Sequence, residues 1–371
     1  MKVCHLTSVH HPYDTRIFVK ECSSLAQAGY DVTLIAPADK DEVKNGVHII
    51  AVNKNASRPL RMITTVNEVW KKALHVDAEI YHLHDPELLR IGLKLKKAGY
   101  KVIYDAHEDV PRQLLAKHYL PSFAKKTIAA AFERYENRAV ANFDQVITVT
   151  PLLEKRFKAL NPNTAQICNF PLLREFPVAD NVSIFRKKEI CYVGGITAIR
   201  GIREMVEALD YCNTTLHLGG TFSPPSLHDD IARMRGWKKV KEHGFMSREQ
   251  VKSLLATCCA GLVLLHPTEN YVDAYPVKMF EYMAAGLPVI ASDFPLWNDI
   301  ISRYACGICA DPFNIEAIAA AINKILTDEE LAQQMGVNGR KAIESVFNWE
   351  QEEKKLVAIY RKLLQQPAHK N

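Results

Sequence analysis

No apolar run in the 371 residues approaches the ~18 needed to cross a bilayer as a helix, so nothing in the sequence reads as a membrane span. The opening residues Met1–Val9 are interrupted too soon by His10 and His11 to act as a secretory leader, and are expected to form a first buried strand. There is no short-period repeat and no low-complexity tract, which excludes solenoids and disordered tails. The nine cysteines are odd in number and scattered, mostly in apolar runs (Cys4, Cys168, Cys191, Cys258), so reduced thiols in a cytoplasmic protein are expected. Cys306 and Cys309 form a lone CxxC without a second ligand pair spaced for zinc, and read as a strand after a glycine turn. No GxGxxG follows either opening strand, which disfavours an NAD-dependent oxidoreductase.

What is present is ordinary for a soluble enzyme: 48% hydrophobic and 24% charged residues, in a chain long enough for two or three domains. The net charge of +5 is one-sided. The first 185 residues hold 25 basic and 20 acidic side chains, and the remainder hold 22 of each. This excess is either a solvated face or a surface for anionic inner-membrane lipid or a phosphate-bearing acceptor. The candidate segments are Arg58 to Arg61, Lys71-Lys72, Lys94 to Lys101 and Leu114 to Lys126. No nucleic-acid partner is indicated.

Apolar runs alternate with helically spaced segments along the whole chain, which predicts α/β architecture with parallel sheets covered by helices. The first series is Val3–Val9, Val32–Ala36, Val47–Val52, Ile80–Leu83, Val102–Tyr104 and Val146–Val149. The second is Ile190–Val193, Thr215–Leu218, Val240–His243, Gly261–Leu265, Val289–Ala291 and Ile308–Ala310. Between them, residues 161–188 are rich in Pro, Asn and charge. Expected boundaries are a Rossmann-like domain over 1–165, a linker over 166–188 and a second Rossmann-like domain over 189–354. Ser247-Arg-Glu-Gln250 is a capping box that starts a helix.

The densest chemistry lies between Asp273 and Asp293. Asp273 falls in a loop, Pro276 is placed to open a helix in its first turn, and Val277, Lys278 and Glu281 follow before Gly286 stops it. First-turn N–H groups lack intrahelical partners and suit a phosphate, to which Lys278 adds a cation. Glu281 can accept hydrogen bonds from a sugar diol. Earlier, Gly194-Gly195 follows a strand and precedes Arg200, another arrangement that brings backbone close to a phosphate. Gly219 and Gly220 end a further strand after His217. In the first half, Tyr104-Asp105-Ala-His107-Glu108-Asp109 ends a strand, where His107 could donate to a sugar hydroxyl or a developing charge. His82 and His84 share one side of a strand, either as a metal pair or as support for a cleft. Asp14 either caps a helix or, with Arg16, forms a local pair or meets the acceptor.

The two carboxylates eight residues apart, Asp273 and Glu281, followed by Ala285-Gly286-Leu287-Pro288-Val289, resemble the donor-binding segment of glycosyltransferase family 4, retaining enzymes of GT-B fold. Two departures stand out. Asp273 replaces the usual Glu, and Gly195 stands where the family usually carries Arg. The resemblance implies two Rossmann-like, doubly wound domains facing across a cleft, with the terminal helix, about 355–371, packed back on the first. It implies a metal-independent enzyme without cofactor. Its co-substrate would be a UDP- or GDP-type nucleotide-diphosphate sugar, and its acceptor a saccharide or lipid-linked saccharide of surface polysaccharide biosynthesis at the inner membrane face. Catalytic roles then fall to His107, Asp273, Arg200 and Lys278. The donor would lie against Gly194, Gly195, Arg200, Gly219, Gly220, Asp273, Pro276, Val277, Lys278 and Glu281, and the acceptor against Asp14, Arg16 and His84. A nucleotide-sugar 2-epimerase of the same fold and a non-catalytic carbohydrate- or nucleotide-binding scaffold remain as alternatives.

Overall fold

The structure is a computed structural model describing residues 1–55, 57, 60–116, 122–176 and 186–366. Arg58, Lys117, Tyr119 and Leu120 of the basic stretches, and residues 177–185 of the expected linker, lie outside the described residues. The chain forms two compact units. One comprises Met1–Asn169 together with the terminal segment from Glu350, the other Phe170–Trp349.

The first unit is an eight-stranded sheet in the order β3-β4-β2-β1-β5-β6-β7-β8. Its strands are β1 (Lys2–Leu6), β2 (Asp31–Pro37), β3 (Glu42–Lys44), β4 (Val47–Val52), β5 (Ile80–Leu83), β6 (Lys101–Ala106), β7 (Gln145–Thr148) and β8 (Thr164–Gln166). All pairs are parallel except β3 with β4. The central strands are buried on both faces, which is why they read as unbroken apolar runs rather than alternating ones. Sequence reasoning missed β3, a short charged edge strand, and β8, whose Thr-Ala-Gln lies inside the Asn- and Pro-rich stretch read as irregular. Gly29 and Gly99 stop their helices at φ of 89° and 88°, in the left-handed region open to glycine.

The second unit is a six-stranded parallel sheet in the order β11-β10-β9-β12-β13-β14. Its strands are β9 (Ile190–Val193), β10 (Leu216–Gly219), β11 (Val240–Gly244), β12 (Ala260–Val263), β13 (Val289–Ser292) and β14 (Gly307–Ala310). The helix Arg248–Thr257 opens with the expected reciprocal capping box of Ser247 and Gln250. Cys306 and Cys309 flank and enter β14 as free thiols.

Each sheet reverses its winding once. Successive connections lead outward from β1 to β2 and β4, then return to β5 on the other side; β9, β10, β11 and then β12 repeat the device. Such a switch point leaves a crevice beyond the carboxyl ends of the two central strands. In the second unit the helix Val277–Ala284 is fastened beside that crevice by Tyr282. The fully buried Tyr282 hydroxyl accepts the Val193 N–H at 3.0 Å, and its ring lies against Gly261 of β12, where a Cβ would come within 2.2 Å of the ring.

Gly261→Ala should therefore force the Tyr282 ring and its helix outward. Overpacking of this kind costs roughly 1–3 kcal/mol, to be read as a lowered midpoint in urea unfolding. An unchanged midpoint would show that the helix is not seated on β12 as described.

Candidate active site

In the second unit the loop after β9 and the helix Val277–Ala284 meet at the switch point. Gly194 adopts φ 139°, and a Cβ built there would lie 3.0 Å from Lys278 Nζ and 3.9 Å from Arg200 Nη1. At Gly195 a Cβ would lie 2.8 Å from Arg200 Nη1, which donates to the Gly195 carbonyl at 3.1 Å. The space that a side chain at 195 would need is thus filled by the guanidinium of Arg200. The cation expected at 195 is missing from the sequence, but a positive group occupies that place from five residues later. Gly220 packs its Cα against the Gly194 carbonyl, where a Cβ would come within 1.9 Å. Backbone bonds tie Gly194 N–H to the Gly219 carbonyl (2.9 Å) and Gly220 N–H to the Gly244 carbonyl (2.7 Å). Four glycines therefore bring bare backbone together, and two of them, Gly194 and Gly195, lie against the cations.

Lys278 is the least satisfied group of this set. Its Nζ is buried without a hydrogen-bond partner, 3.8 Å from the centroid of the Tyr192 ring. A cation–π contact contributes about 0.5–2 kcal/mol, less than the several kcal/mol that desolvating an ammonium costs. Burial accordingly pushes the Lys278 pKa well below its ordinary value, with Arg200 acting in the same direction and Glu281 against it. Glu281 is held by Arg248, whose Nη1 reaches Oε1 at 2.5 Å and whose Nη2 binds Glu175. Oε2 is then the oxygen available to a diol. Pro276 serves as the cap rather than the first helical residue, at ψ 115°, so the helix begins at Val277. The donors Val277 N–H and Lys278 N–H open toward its N-terminal side. Asp273 is exposed, just after the short helix Glu269–Val272; Trp297 Nε1 anchors the neighbouring Ala274 carbonyl at 2.7 Å. His217 faces inward, bonded to His243 and Glu189 at 2.9 Å each.

In the first unit the loop after β1 and the end of β5 are stitched by Asp85, which accepts from Thr7 Oγ1 (2.8 Å) and Ser8 N–H (2.6 Å) and faces His10 at 3.3 Å. Asp14 is a helix cap: its Oδ1 accepts from the N–H groups of Arg16 (2.8 Å) and Ile17 (2.9 Å). The helix it caps, Thr15–Cys22, is wound as a π-helix, and Arg16, Lys20 and Glu21 all face inward along it. Arg16 and His84, expected at the acceptor, are only 4% and 2% exposed. Arg16 instead grips Asp105 with two bonds of 2.9 Å, from Nε and Nη2, and donates to the Ile167 carbonyl at 3.0 Å. His107, 17% exposed, places Nε2 2.8 Å from Asp105 Oδ2.

Behind His107 lies a cluster of buried rings: His5, His82 and His84, with Tyr360 of the terminal helix and Glu21 beside them. A cation could not lie between His5 and His84, because Nδ1 of one faces Nε2 of the other at 2.8 Å, a hydrogen-bond distance. At the second group, His84, Asp105 and His107, the carboxylate is already neutralised by Arg16. Burial alone would raise the Asp105 pKa, but Arg16 and the histidines outweigh it and hold the carboxyl well below the usual range. Glu21 goes the opposite way, raised by burial and then by Asp105.

Of the residues singled out in the sequence, the structure gathers Gly194, Gly195, Gly220, Arg200 and Lys278 at one switch point and sets His107 at the end of a strand in the other unit. Sequence reasoning missed Tyr192, Arg248 and Glu175, which hold Lys278 and Glu281, and gave no role to Asp105, His5 or Tyr360. Asp105 was findable as the strand residue whose side chain lies two before His107; nothing local marks Tyr360.

The comparisons agree with this fold. A model described as glycosyltransferase family 4 matches residues 16–168, and one described as glycosyl transferases group 1 matches residues 179–342. Glycogen synthase of Mycobacterium tuberculosis is 23% identical over 88% of this chain and 86% of its own length. An uncharacterized glycosyltransferase of Methanocaldococcus jannaschii is 26% identical, but over 47% of this chain and 45% of its own. Among solved structures, sucrose-phosphate synthase of Thermosynechococcus elongatus superposes with a TM-score of 0.80 at 20% identity, covering 98% and 99% of the two chains. Anabaena HepE in complex with UDP-glucose gives 0.73 at 15% identity, over 98% and 100%.

The buried histidines predict an acid-labile first unit. Burial lowers the pKa of His5 and His82 far below the ordinary value and that of His84 to about 4. A depressed histidine gives stability that is whole above its unfolded pKa and declines as pH falls toward the folded one. The raised pKa of Glu21 acts oppositely over part of this range, one proton against three. His10 is pushed up to about 10; burial alone would lower it, but bonds to Asp14 and Asp85 outweigh that, so its contribution fades only as pH rises from ~6.5 toward 10. Unfolding between pH 6.5 and 4.5 should thus take up a net of about two protons, seen as a falling urea midpoint. A midpoint flat down to pH 4.5 would contradict the buried, neutral cluster. Taken with one matching family model on each unit, these features make the chain a member of glycosyltransferase family 4, with the two Rossmann-like domains of the GT-B fold.

Proposed function

We propose that this glycosyltransferase moves a hexosyl group from a UDP- or GDP-sugar to a saccharide or lipid-linked acceptor in surface polysaccharide biosynthesis, with retention and without a metal ion. The observation that carries the donor half is Lys278. An unpaired buried amine beside Gly194 and Arg200 is what a diphosphate would complete. UDP and UDP-glucose are bound in the Anabaena structures, which supports a nucleotide-sugar donor here.

In this reading the diphosphate takes hydrogen bonds from Lys278, Arg200 and the backbone at Gly194 and Val277. The two cations, rather than a metal, meet the charge that grows on the leaving phosphate. Glu281, pre-oriented by Arg248, holds the ribose through Oε2, and Asp273 meets hydroxyls of the transferred sugar. His107 in the first unit is offered to a saccharide hydroxyl. The C1–phosphate bond breaks, the acceptor oxygen bonds C1 from the same side, and its proton passes to the departing phosphate oxygen. The basic first half would serve a phosphate-bearing acceptor or an anionic inner-membrane surface. Among the described residues no helix is long and apolar enough to cross a membrane.

Diphosphate binding should restore an ordinary pKa to Lys278 and so draw a proton into the complex. Titration calorimetry of UDP and GDP at pH 8, in buffers of different ionisation enthalpy, should show proton uptake that Lys278→Met abolishes. Gly195→Ala, by displacing the Arg200 guanidinium, should weaken binding about tenfold at unchanged melting temperature, a loss typical of a charged hydrogen bond. Failure of UDP, GDP and ADP alike to bind would return the chain to the scaffold alternative.

A further inference from the structure

One hydrogen-bonded path runs from His107 into the core of the first unit. Asp105 Oδ2 lies 2.8 Å from His107 Nε2, and His84 Nδ1 lies 3.4 Å from both. His84 Nε2 meets His5 Nδ1 at 2.8 Å, His5 Nε2 meets the Tyr360 hydroxyl at 3.0 Å, and that hydroxyl meets His82 Nδ1 at 2.7 Å. All the residues of the path except His107 are at most 2% exposed.

The proton positions follow link by link. Asp105 is ionised and can only accept, so His107 presents Nε2–H and His84 presents Nδ1–H toward it. A neutral His84 then has a bare Nε2, which must accept from His5 Nδ1–H. The bare Nε2 of His5 accepts the Tyr360 O–H, and the Tyr360 oxygen accepts from His82 Nδ1–H. This leaves His82 with a bare Nε2, and that atom is the one in the path found buried without a partner. An unpartnered acceptor costs less than an unpartnered N–H, so the chain ends where it should. The reverse polarity would bury an N–H there and set a lone pair of His84 against a carboxylate.

We propose that Tyr360 of the terminal helix Trp349–Gln365 is a positioning residue for His107, keeping its Nε2–H directed at Asp105 alone by holding a proton on His84 Nδ1 through the directed path His5–His84. Without the hydroxyl, His5 has no fixed donor at Nε2 and can exchange tautomers. His84 can then present its proton inward and a bare Nδ1 to His107, which would divide its N–H between two acceptors and lose its set orientation. The kinetic consequence rests on the glycosyltransferase reading given above; the tautomer assignment does not.

The test uses the full chain with ¹⁵N-histidine. Two-bond ¹H–¹⁵N spectra of the wild type should show single tautomers, Nε2–H for His107 and Nδ1–H for His5, His82 and His84. In Tyr360→Phe the His5 and His84 signals should become averaged, and the His107 Nε2–H, while kept, should shift. Wild-type His107 as Nδ1–H, or an unaltered His107 in the variant, would overturn the proposal. His5→Asn, which keeps an amide donor near the place of Nδ1, should preserve the His107 signal, whereas His5→Leu should not; equal behaviour of the two would mean packing alone. With UDP-glucose and GDP-mannose hydrolysis as the kinetic probes, Tyr360→Phe should lower kcat about tenfold in the wild type and not at all in His107→Gln, the signature of coupled residues. Equal losses in both backgrounds would count against it. No turnover of either probe would fail the donor reading and leave the spectra to decide.

Discussion

Parallel strands all end on one edge of their sheet, and a connection that changes direction leaves a gap on that edge that no crossover covers. Both units obey this constraint, and both place their reactive groups at the gap: the loops after β1 and β5 in one, after β9 and β12 in the other. The gap itself is generic. Its chemistry depends on which residues end the central strands, and these differ sharply. Histidines and aspartates end β5 and β6, while glycines end β9 and β10. Side chains fill the first gap and make a closed polar network. Their absence opens the second to a ligand with many acceptor atoms.

The handling of buried charge differs in the same way. Arg16 and Asp105 form a two-pronged pair with almost no exposure, and burial lowers the pKa of the nearby His5, His82 and His84. Breaking such a pair leaves an uncompensated charge at a cost of roughly 3–5 kcal/mol, so its geometry is held tightly. Lys278 has no hydrogen-bonded counter-ion at Nζ, and burial lowers its pKa well below the ordinary value. The first arrangement suits a group that must keep one orientation. The second suits a group that must acquire charge when an anion arrives.

Much of the fold was legible because it rests on local, one-dimensional signals. Apolar runs marked twelve of the strands within a few residues, and the capping box marked the helix after β11. The two strands that escaped, β3 and β8, are three residues each and carry polar side chains, so their identity comes from the neighbouring strand rather than from themselves. The grouping of side chains was legible where one segment carries several of them, as at Gly194–Arg200 and Val277–Glu281. It was misread where a side chain's direction decides its role. Arg16 and His84 have the composition of a binding loop, but the π-type winding and the end of β5 turn them inward. Position-by-position comparison also counted a lost cation at Gly195, because it could not register that Arg200 swings back over the glycine that made room for it.

The histidine path shows why some of the site could not be read locally at all. His5, His82, His84 and Tyr360 come from β1, from β5 and its end, and from a helix 278 residues beyond His82. Taken singly, each is a polar ring in an apolar core, a feature that lowers stability and carries no obvious function. Together they satisfy one another, and only the last nitrogen lacks a partner. Such a set works as a whole: a path with one member missing leaves buried donors or acceptors on both sides of the break, each costing about 1–3 kcal/mol. Loop closure adds little against this, since its cost grows only with the logarithm of chain length. The terminal helix can therefore be remote in sequence and still complete the interior of the first unit, with Tyr360 oriented by two ring nitrogens and orienting them in return.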